Sequence, residues 1–227
     1  MQGFDLTGQT LVLFMLKLIA RFMRVFFALL YHPFAFTYDL VAAAVSFGRW
    51  KDWTNTVLPY IEGARVLELG FGPGHLQRIL LSRGLFVVGL DESRQMATLA
   101  RKSLFKSGYT QANLSRGLAQ QFPFQNGSFN TIVTTFPTEY IFDPCTLAEV
   151  RRCLLNGGRL VVLPAAWPKS PLLGWLYKIA GESPFAIDPI IQRIKPLLTD
   201  TGFEVRLERL EEKSSLLLII IATKADF

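Results

Sequence analysis

One ten-residue stretch constrains the chain most: Val66-Leu67-Glu68-Leu69-Gly70-Phe71-Gly72-Pro73-Gly74-His75. A short apolar run that reads as a strand ends in a cluster of glycines, and a helical pattern begins at His75. Glycine tolerates positive φ and lets a ligand approach the backbone. The helix that follows opens with free backbone N–H groups. Two nucleotide-like ligands compete for such a turn. A dinucleotide fingerprint needs G-x-G-x-x-G, which sets a pyrophosphate on the helix N-terminus. Here the spacing is G-x-G-x-G, and Glu68 precedes it. A carboxylate at that place repels a pyrophosphate and suits a ligand with a cationic end. Asp91 closes the next strand, where it can accept hydrogen bonds from two ribose hydroxyls. Two plainer roles stay open: Glu68 as a structural group and Asp91 as a helix cap.

After Gly63 strands and helices alternate. Strands are expected at Ala64 to Leu69, Leu85 to Leu90, Asn113 to Arg116, Thr131 to Thr135 and Arg159 to Leu163. Helices are expected at His75 to Ser82, at Ser93 to Ser107 with Ser93 as N-cap, and at Cys145 to Leu155 stopped by Gly157-Gly158. Pro164 to Pro184 reads as an insertion, and Pro189 to Thr199 as a helix despite Pro196. Phe203 to Leu207 and Ser215 to Ile221 form a closing strand pair. The alternation implies an α/β, Rossmann-like, doubly wound sheet. The link Glu208 to Ser214 is too short for a parallel crossover, so the last strand is expected to be antiparallel.

The first 59 residues read differently, as a helical extension, with the α/β domain spanning 60–227. Leu11 to Leu30 is almost wholly apolar yet carries Lys17, Arg21 and Arg24. On a helix these three cations fall within an arc of about 60°. A basic stripe on a greasy helix is what an interfacial helix needs. The apolar residues favour crossing a bilayer by about 4 to 8 kcal/mol, and three central cations oppose it by about 8 to 10. Lying on the membrane is therefore favoured over spanning it, and a buried lid helix is the third arrangement. No cleavage-site pattern follows the segment. Pro33 should end this helix; Thr37 to Ile61 reads as one or two more, broken at Gly48, with Trp50 and Trp53 packed on the core.

Charge is uneven. The net charge is +6, and from Ser93 to Thr138 there is no Asp or Glu, while Arg94, Arg101, Lys102, Lys106 and Arg116 all fall there. That stretch is either a solvated surface or a face for an anionic lipid or substrate. The two cysteines, Cys145 and Cys153, would lie about 12 Å apart on one helix, too far for a disulfide. No metal-ligand spacing exists, so no metal site is expected. The compartment reads as reducing.

At this point the residues carry a family resemblance. The Glu68-Leu69-Gly70-Phe71-Gly72-Pro73-Gly74 run, followed by Gly89-Leu90-Asp91, resembles the first two motifs of the class I S-adenosyl-L-methionine (SAM)-dependent methyltransferases, in particular the small-molecule, type 11-like members. Gly117 to Phe124 with Gly127-Ser128-Phe129-Asn130 is similar to that family's third-to-fourth-strand segment. Glu149 to Leu160 is similar to its helix and glycine turn before the fifth strand. The ordered set covers roughly Tyr60 to Ile221. The resemblance implies a seven-stranded sheet with SAM across the ends of the first strands. By position, Glu68, Gly70, Phe71, Gly72 and Gly74 would line the methionine and ribose side, and Asp91 would hold the ribose. Glu92 or Ser93 and Met96 would lie near the adenine, with Ala119 and Gln120 at its edge. Thr135 and Phe136 would sit beside the methyl. Two positions depart from the pattern: Leu118 stands where an acid is common, and Asn130 replaces a usual Asp.

Methyl transfer from a sulfonium is an in-line displacement that needs alignment more than a dedicated catalyst. An oxygen or carbon nucleophile still calls for a base. The expected candidates are Glu139, Tyr140 and His75, with Asp143 in the same stretch. Thr135-Phe136-Pro137-Thr138 does not resemble the motif of nucleic-acid amino methylases, so no nucleic-acid partner is expected. The apolar N-terminal segment points instead to a small lipophilic or membrane-associated acceptor. The expected location is cytoplasmic, peripheral on the inner face of the membrane. A catalytically silent scaffold at the membrane is the alternative, followed by a nicotinamide-dependent oxidoreductase.

Overall fold

In the computed structural model, residues 48–169, 187–213 and 215–225 are described. The apolar basic segment 11–30, and most of the expected 164–184 insertion, lie outside them. The described chain opens with α1 (Trp50–Asn55) and a 3-10 turn, Leu58–Tyr60. It continues through β1 (Arg65–Leu69), α2 (His75–Ser82), β2 (Phe86–Asp91), α3 (Arg94–Lys106), β3 (Asn113–Arg116) and β4 (Phe129–Thr135). A 3-10 turn at Glu139–Phe142 leads to α4 (Pro144–Cys153) and β5 (Leu154–Pro168). Then come α5 (Ile187–Asp200), β6 (Phe203–Glu212) and β7 (Ser215–Lys224).

The seven strands form one sheet in the order β3-β2-β1-β4-β5-β7-β6. Neighbours from β3 to β5 pair parallel. β7 runs antiparallel to both β5 and β6, as connection length requires. Strand order reverses between β1 and β4, and in open sheets of this kind the carboxyl ends of the strands at that point form the ligand crevice. The central strands are buried on both faces. One face packs Leu67, Leu69, Ile132, Leu160 and Ile220; the other packs Val66, Val87, Val133, Val161 and Ile219. Continuous apolar runs are what parallel strands covered by helices on both sides must have. The two sheet edges are guarded differently: β3 is only four residues long, and β6 alternates charged, exposed residues. Both are devices that blunt edge-to-edge pairing.

Several expected boundaries shift. α4 ends at Cys153, because Leu154 is already extended and pairs with Phe129 at the start of β5. Gly157-Gly158 therefore does not cap the helix; Gly157, at φ 69°, lies where the β4–β5 register shifts. β5 continues through Pro164 to Pro168, paired with β7 as far as Ser215. Glu208 to Glu212 belong to β6, and the chain turns at Lys213, φ 53°. Residue 60 does not divide two packed bodies. Trp53, Val57 and Leu58 share a buried cluster with Val66 and Val87, so the α/β body takes in α1.

The connection from β3 to β4 is fixed by one side chain. Arg152 Nε and Nη2 donate to the Glu149 carboxylate at 2.8 and 2.7 Å. Its Nη1 donates to Phe124 O and Asn126 Oδ1, and its Nη2 to Phe122 O. Glu149 in turn accepts the Phe122 N–H, and the guanidinium holds its carboxyl below the usual carboxylate range. Charge-assisted bonds of this kind are worth more than neutral ones. Arg152→Met is expected to cost about 2–3 kcal/mol, seen by calorimetry as a drop of about 4–12 °C in Tm.

Candidate functional site

The glycine turn follows directly from β1. Gly70, Gly72 and Gly74 all have positive φ, at 66°, 52° and 84°. Gly70 N–H donates to Leu90 O, which pins the start of the turn to β2. Phe71 turns back into the protein, 3% exposed, and lies across Gly89, where an added Cβ would meet its ring at 2.6 Å. A side chain on Gly72 would meet nothing within 4 Å; this glycine faces open space. Gly74 caps α2 and abuts Ala100 of α3, 3.1 Å from its would-be Cβ.

Asp91 ties the turn to the next element. Its Oδ2 accepts the Gly72 N–H at 2.9 Å, and its Oδ1 accepts the Ser93 N–H at 2.8 Å. Ser93 Oγ then accepts the Met96 N–H and caps α3. The carboxylate therefore holds the turn and the chain entering α3, and each oxygen retains a lone pair for a ligand. Burial raises its pKa, against the two backbone N–H groups, which lower it.

Glu68 lies behind the turn, 3% exposed. Desolvation pushes its pKa up to about 8, opposed by hydrogen bonds from Gln77, with the Asp91 charge adding to the rise. Its Oε2 is buried without a hydrogen-bond partner. The sequence placed two carboxylates beside the glycine turn, and the structure brings them together. It differs in charge: burial shifts Glu68 toward its protonated form.

The other expected residues fall into place unevenly. Tyr140 reaches back over the turn; a Cβ on Gly70 would sit 2.7 Å from its Oη. That Oη lies 3.4 Å from Thr134 Oγ1 near the end of β4. Thr135, the last residue of β4, is half-buried, as is His75, the first residue of α2; Glu139 is exposed. Asp143 caps α4 by accepting from Cys145 and Thr146 N–H groups, so it has structural work at a distance from the turn. Glu92 and Gln120 are exposed and Ala119 is half-buried, whereas the Met96 side chain is buried in the core. Leu118 is 57% exposed. Asn130 is structural: its Oδ1 accepts the Arg65 N–H, and its side chain fills the space beside Gly63.

Sequence reasoning missed the state of Phe136. It has φ 51°, a conformation that strains a bulky residue, and such outliers concentrate at functional sites. Its ring lies 4.1 Å from Trp50 and 6.2 Å from Trp53. The residue thus leaves the end of β4 toward α1 rather than toward the glycine turn. A cleft of about 650 Å³ lined by Arg151, Arg152, Asn156 and Lys224 lies at the other end of the sheet, against the starts of β4 and β5; it takes in Asn130 but none of the residues expected to bind the cofactor or act as a base.

The fold and this turn are those of class I SAM-dependent methyltransferases, and residues 66–158 match the sequence model of the methyltransferase domain. Among its relatives is a demethylmenaquinone methyltransferase of Bacillus velezensis, 30% identical over 139 residues, which are 58% of this chain and 60% of that one. Another is a ubiquinone/menaquinone biosynthesis C-methyltransferase of Blochmanniella floridana, 30% identical over 178 residues, 72% of this chain and 66% of that one. The chain thus spans less than two thirds of the length of these relatives. Geranyl diphosphate C-methyltransferase from Streptomyces coelicolor, solved with S-adenosyl-L-homocysteine, shares the fold at a TM-score of 0.61 and 13% identity, over 83% of this chain and 84% of that one. A SAM-dependent methyltransferase from Methanosarcina mazei does so at 0.54 and 22%, over 75% and 97%.

Because the folded pKa of Glu68 lies near 8 and its ordinary value is 4.5, the folded state holds a proton that the unfolded state has lost between those values. Its contribution to stability is complete below the lower value and lost as pH rises to the upper one. The Tm of the ligand-free protein is therefore expected to fall on titration from pH 5 to about 8. Glu68→Gln is expected to flatten that slope, measured by differential scanning calorimetry.

Proposed function

We propose that this chain transfers a methyl group from SAM to a small lipophilic acceptor, of the quinone-precursor type, at a membrane surface. The observation that carries the reading is the open glycine turn between Asp91 and a buried, orphaned Glu68 oxygen. These residues fit the cofactor. Asp91 keeps lone pairs for a ribose diol. Glu68 has an unfilled acceptor for the ammonium of the methionine part. Gly72 leaves the space that a side chain would block. Glu92, Ala119 and Gln120 line the adenine side in this reading.

Bound SAM supplies an electrophilic methyl on a sulfonium. The chain's own contribution is to align and desolvate. A dry site favours a transition state in which charge is dispersed. Tyr140 Oη stands over Gly70, on the side where an acceptor must approach, and is the group best placed to orient an acceptor hydroxyl. Thr134 fixes that phenol. A carbon acceptor must also lose a proton, and His75 and Glu139 remain the sequence's candidates for taking it. The relatives named for demethylmenaquinone and for ubiquinone/menaquinone biosynthesis support a ring-carbon acceptor with an apolar tail. The basic apolar segment 11–30 supports a place on the membrane, on its cytoplasmic side. Among the described residues no helix is long and apolar enough to cross a membrane.

SAM binding is expected by titration calorimetry, weakened about ten- to a hundredfold in Asp91→Ala. Binding at pH 7 should release up to about one proton, as the cationic ligand ionises Glu68; repeating the titration in buffers of different ionisation enthalpy reads this, and Glu68→Gln should abolish it. A well-folded sample that binds no SAM would overturn the reading in favour of a silent scaffold. Tyr140→Phe should lower turnover of a reduced naphthoquinone acceptor about tenfold or more while leaving SAM affinity intact, and deuterated-methyl mass spectrometry would locate the new C–C bond.

A further inference from the structure

Helix α3 has two unlike sides. Met96, Ala100 and Leu104 are buried against the sheet. Arg94, Gln95, Thr98, Arg101, Lys102, Phe105 and Lys106 are all exposed. At about 100° per residue these seven occupy one continuous arc of roughly 140°. Four of them are cations and none is an acid. None of the four has an ion pair among the described residues, whose bridges all lie elsewhere. Helix α2, packed beside α3, adds exposed Arg78 and carries no acid.

A solvated face explains cations but not the ring among them. Phe105 is 66% exposed, more than the other outward-facing large apolar residues. It sits between Arg101 and Lys102 on one turn and Lys106 beside it. An aromatic ring flanked by cations on a helix lying flat is the arrangement that suits an anionic bilayer. The ring enters the acyl boundary and the cations meet headgroups. The segment Leu11 to Leu30 cannot complement this face by charge, because Lys17, Arg21 and Arg24 repeat its sign. A nucleic acid fits less well: stacking of bases needs a series of rings, and a duplex backbone offers the single ring no apolar partner.

We propose that the outward face of α3 docks on the surface of an anionic phospholipid bilayer, with Phe105 inserted and Arg101, Lys102 and Lys106 on the headgroups. This rests on the membrane-surface part of the proposed function and names where contact is made. It also supplies a second anchor to a chain whose apolar segment is already basic, and two signals are what stable peripheral attachment takes.

The test uses the full chain and co-sedimentation with vesicles of phosphatidylcholine, with and without phosphatidylglycerol. Each cation apposed to an anionic surface contributes about fivefold to partitioning. Arg101→Glu/Lys102→Glu/Lys106→Glu is expected to weaken binding to the anionic vesicles about tenfold or more. Phe105→Ser should weaken it about threefold or more, at high salt as well as low. Tm and SAM affinity should stay as in the wild type, which separates a docking loss from misfolding. Anionic-vesicle binding by the wild type that both variants retain in full would overturn the α3 assignment and leave membrane association standing. A wild type that binds both kinds of vesicle equally would overturn the α3 assignment alone, and one that binds neither would overturn membrane association with it. Variants that keep vesicle binding but lose affinity for a DNA oligonucleotide would show a nucleic-acid face instead, and overturn the proposal.

Discussion

The Asp91 carboxylate ties together two βα units that also meet through sheet pairing and through the packing of α2 on α3. One oxygen takes the Gly72 N–H of the turn after β1, and the other takes the Ser93 N–H at the entry to α3. Loops at the end of a sheet have few buried apolar contacts to hold them, and here two charge-assisted bonds do that work. The same carboxylate is then at the right place for a ligand, because a group that orients the turn necessarily borders the space the turn encloses. Under the proposed function a structural and a binding role would coincide in this residue. The cap role weighed from sequence falls to Ser93, whose Oγ accepts the Met96 N–H, while Asp91 braces the turn.

Behind the turn, Glu68 shows how burial changes the meaning of a charge. Removing a carboxylate from water without a partner is expensive, and the group responds by holding its proton. A count of the acids beside the turn therefore overstates its negative charge. A cation beside Glu68 favours its ionised form, so under the proposed function the ligand itself would raise the charge of its site. A pyrophosphate would not elicit it, and this preference agrees with the glycine spacing.

Much of the fold could be read from the sequence, because its determinants are local. The glycine turn, Asp91 at the end of β2, the Ser93 cap and the antiparallel β7 all follow from residue type and connection length. What escaped depends on distant partners. Leu154 leaves the helix early because Phe129 is there to pair with it, far back in sequence. Asp143 looked like a candidate base until its neighbours' N–H groups claimed it. The raised pKa of Glu68 needs the burial that the whole sheet provides. Phe136 gives no local sign of its positive φ, since the conformation is held by Trp50 and Trp53, more than eighty positions earlier.

That last contact has a mechanical reading. Phe136 directly follows β4, in a backbone state that strains a bulky residue. Two indole rings from α1 keep it there, and α1 is where the leading segment of the chain joins the α/β body. The end of β4 and the glycine turn are therefore held by different partners, Trp50 and Trp53 for the one and Asp91 for the other, so a change at either tryptophan leaves the hydrogen bonds of the turn in place.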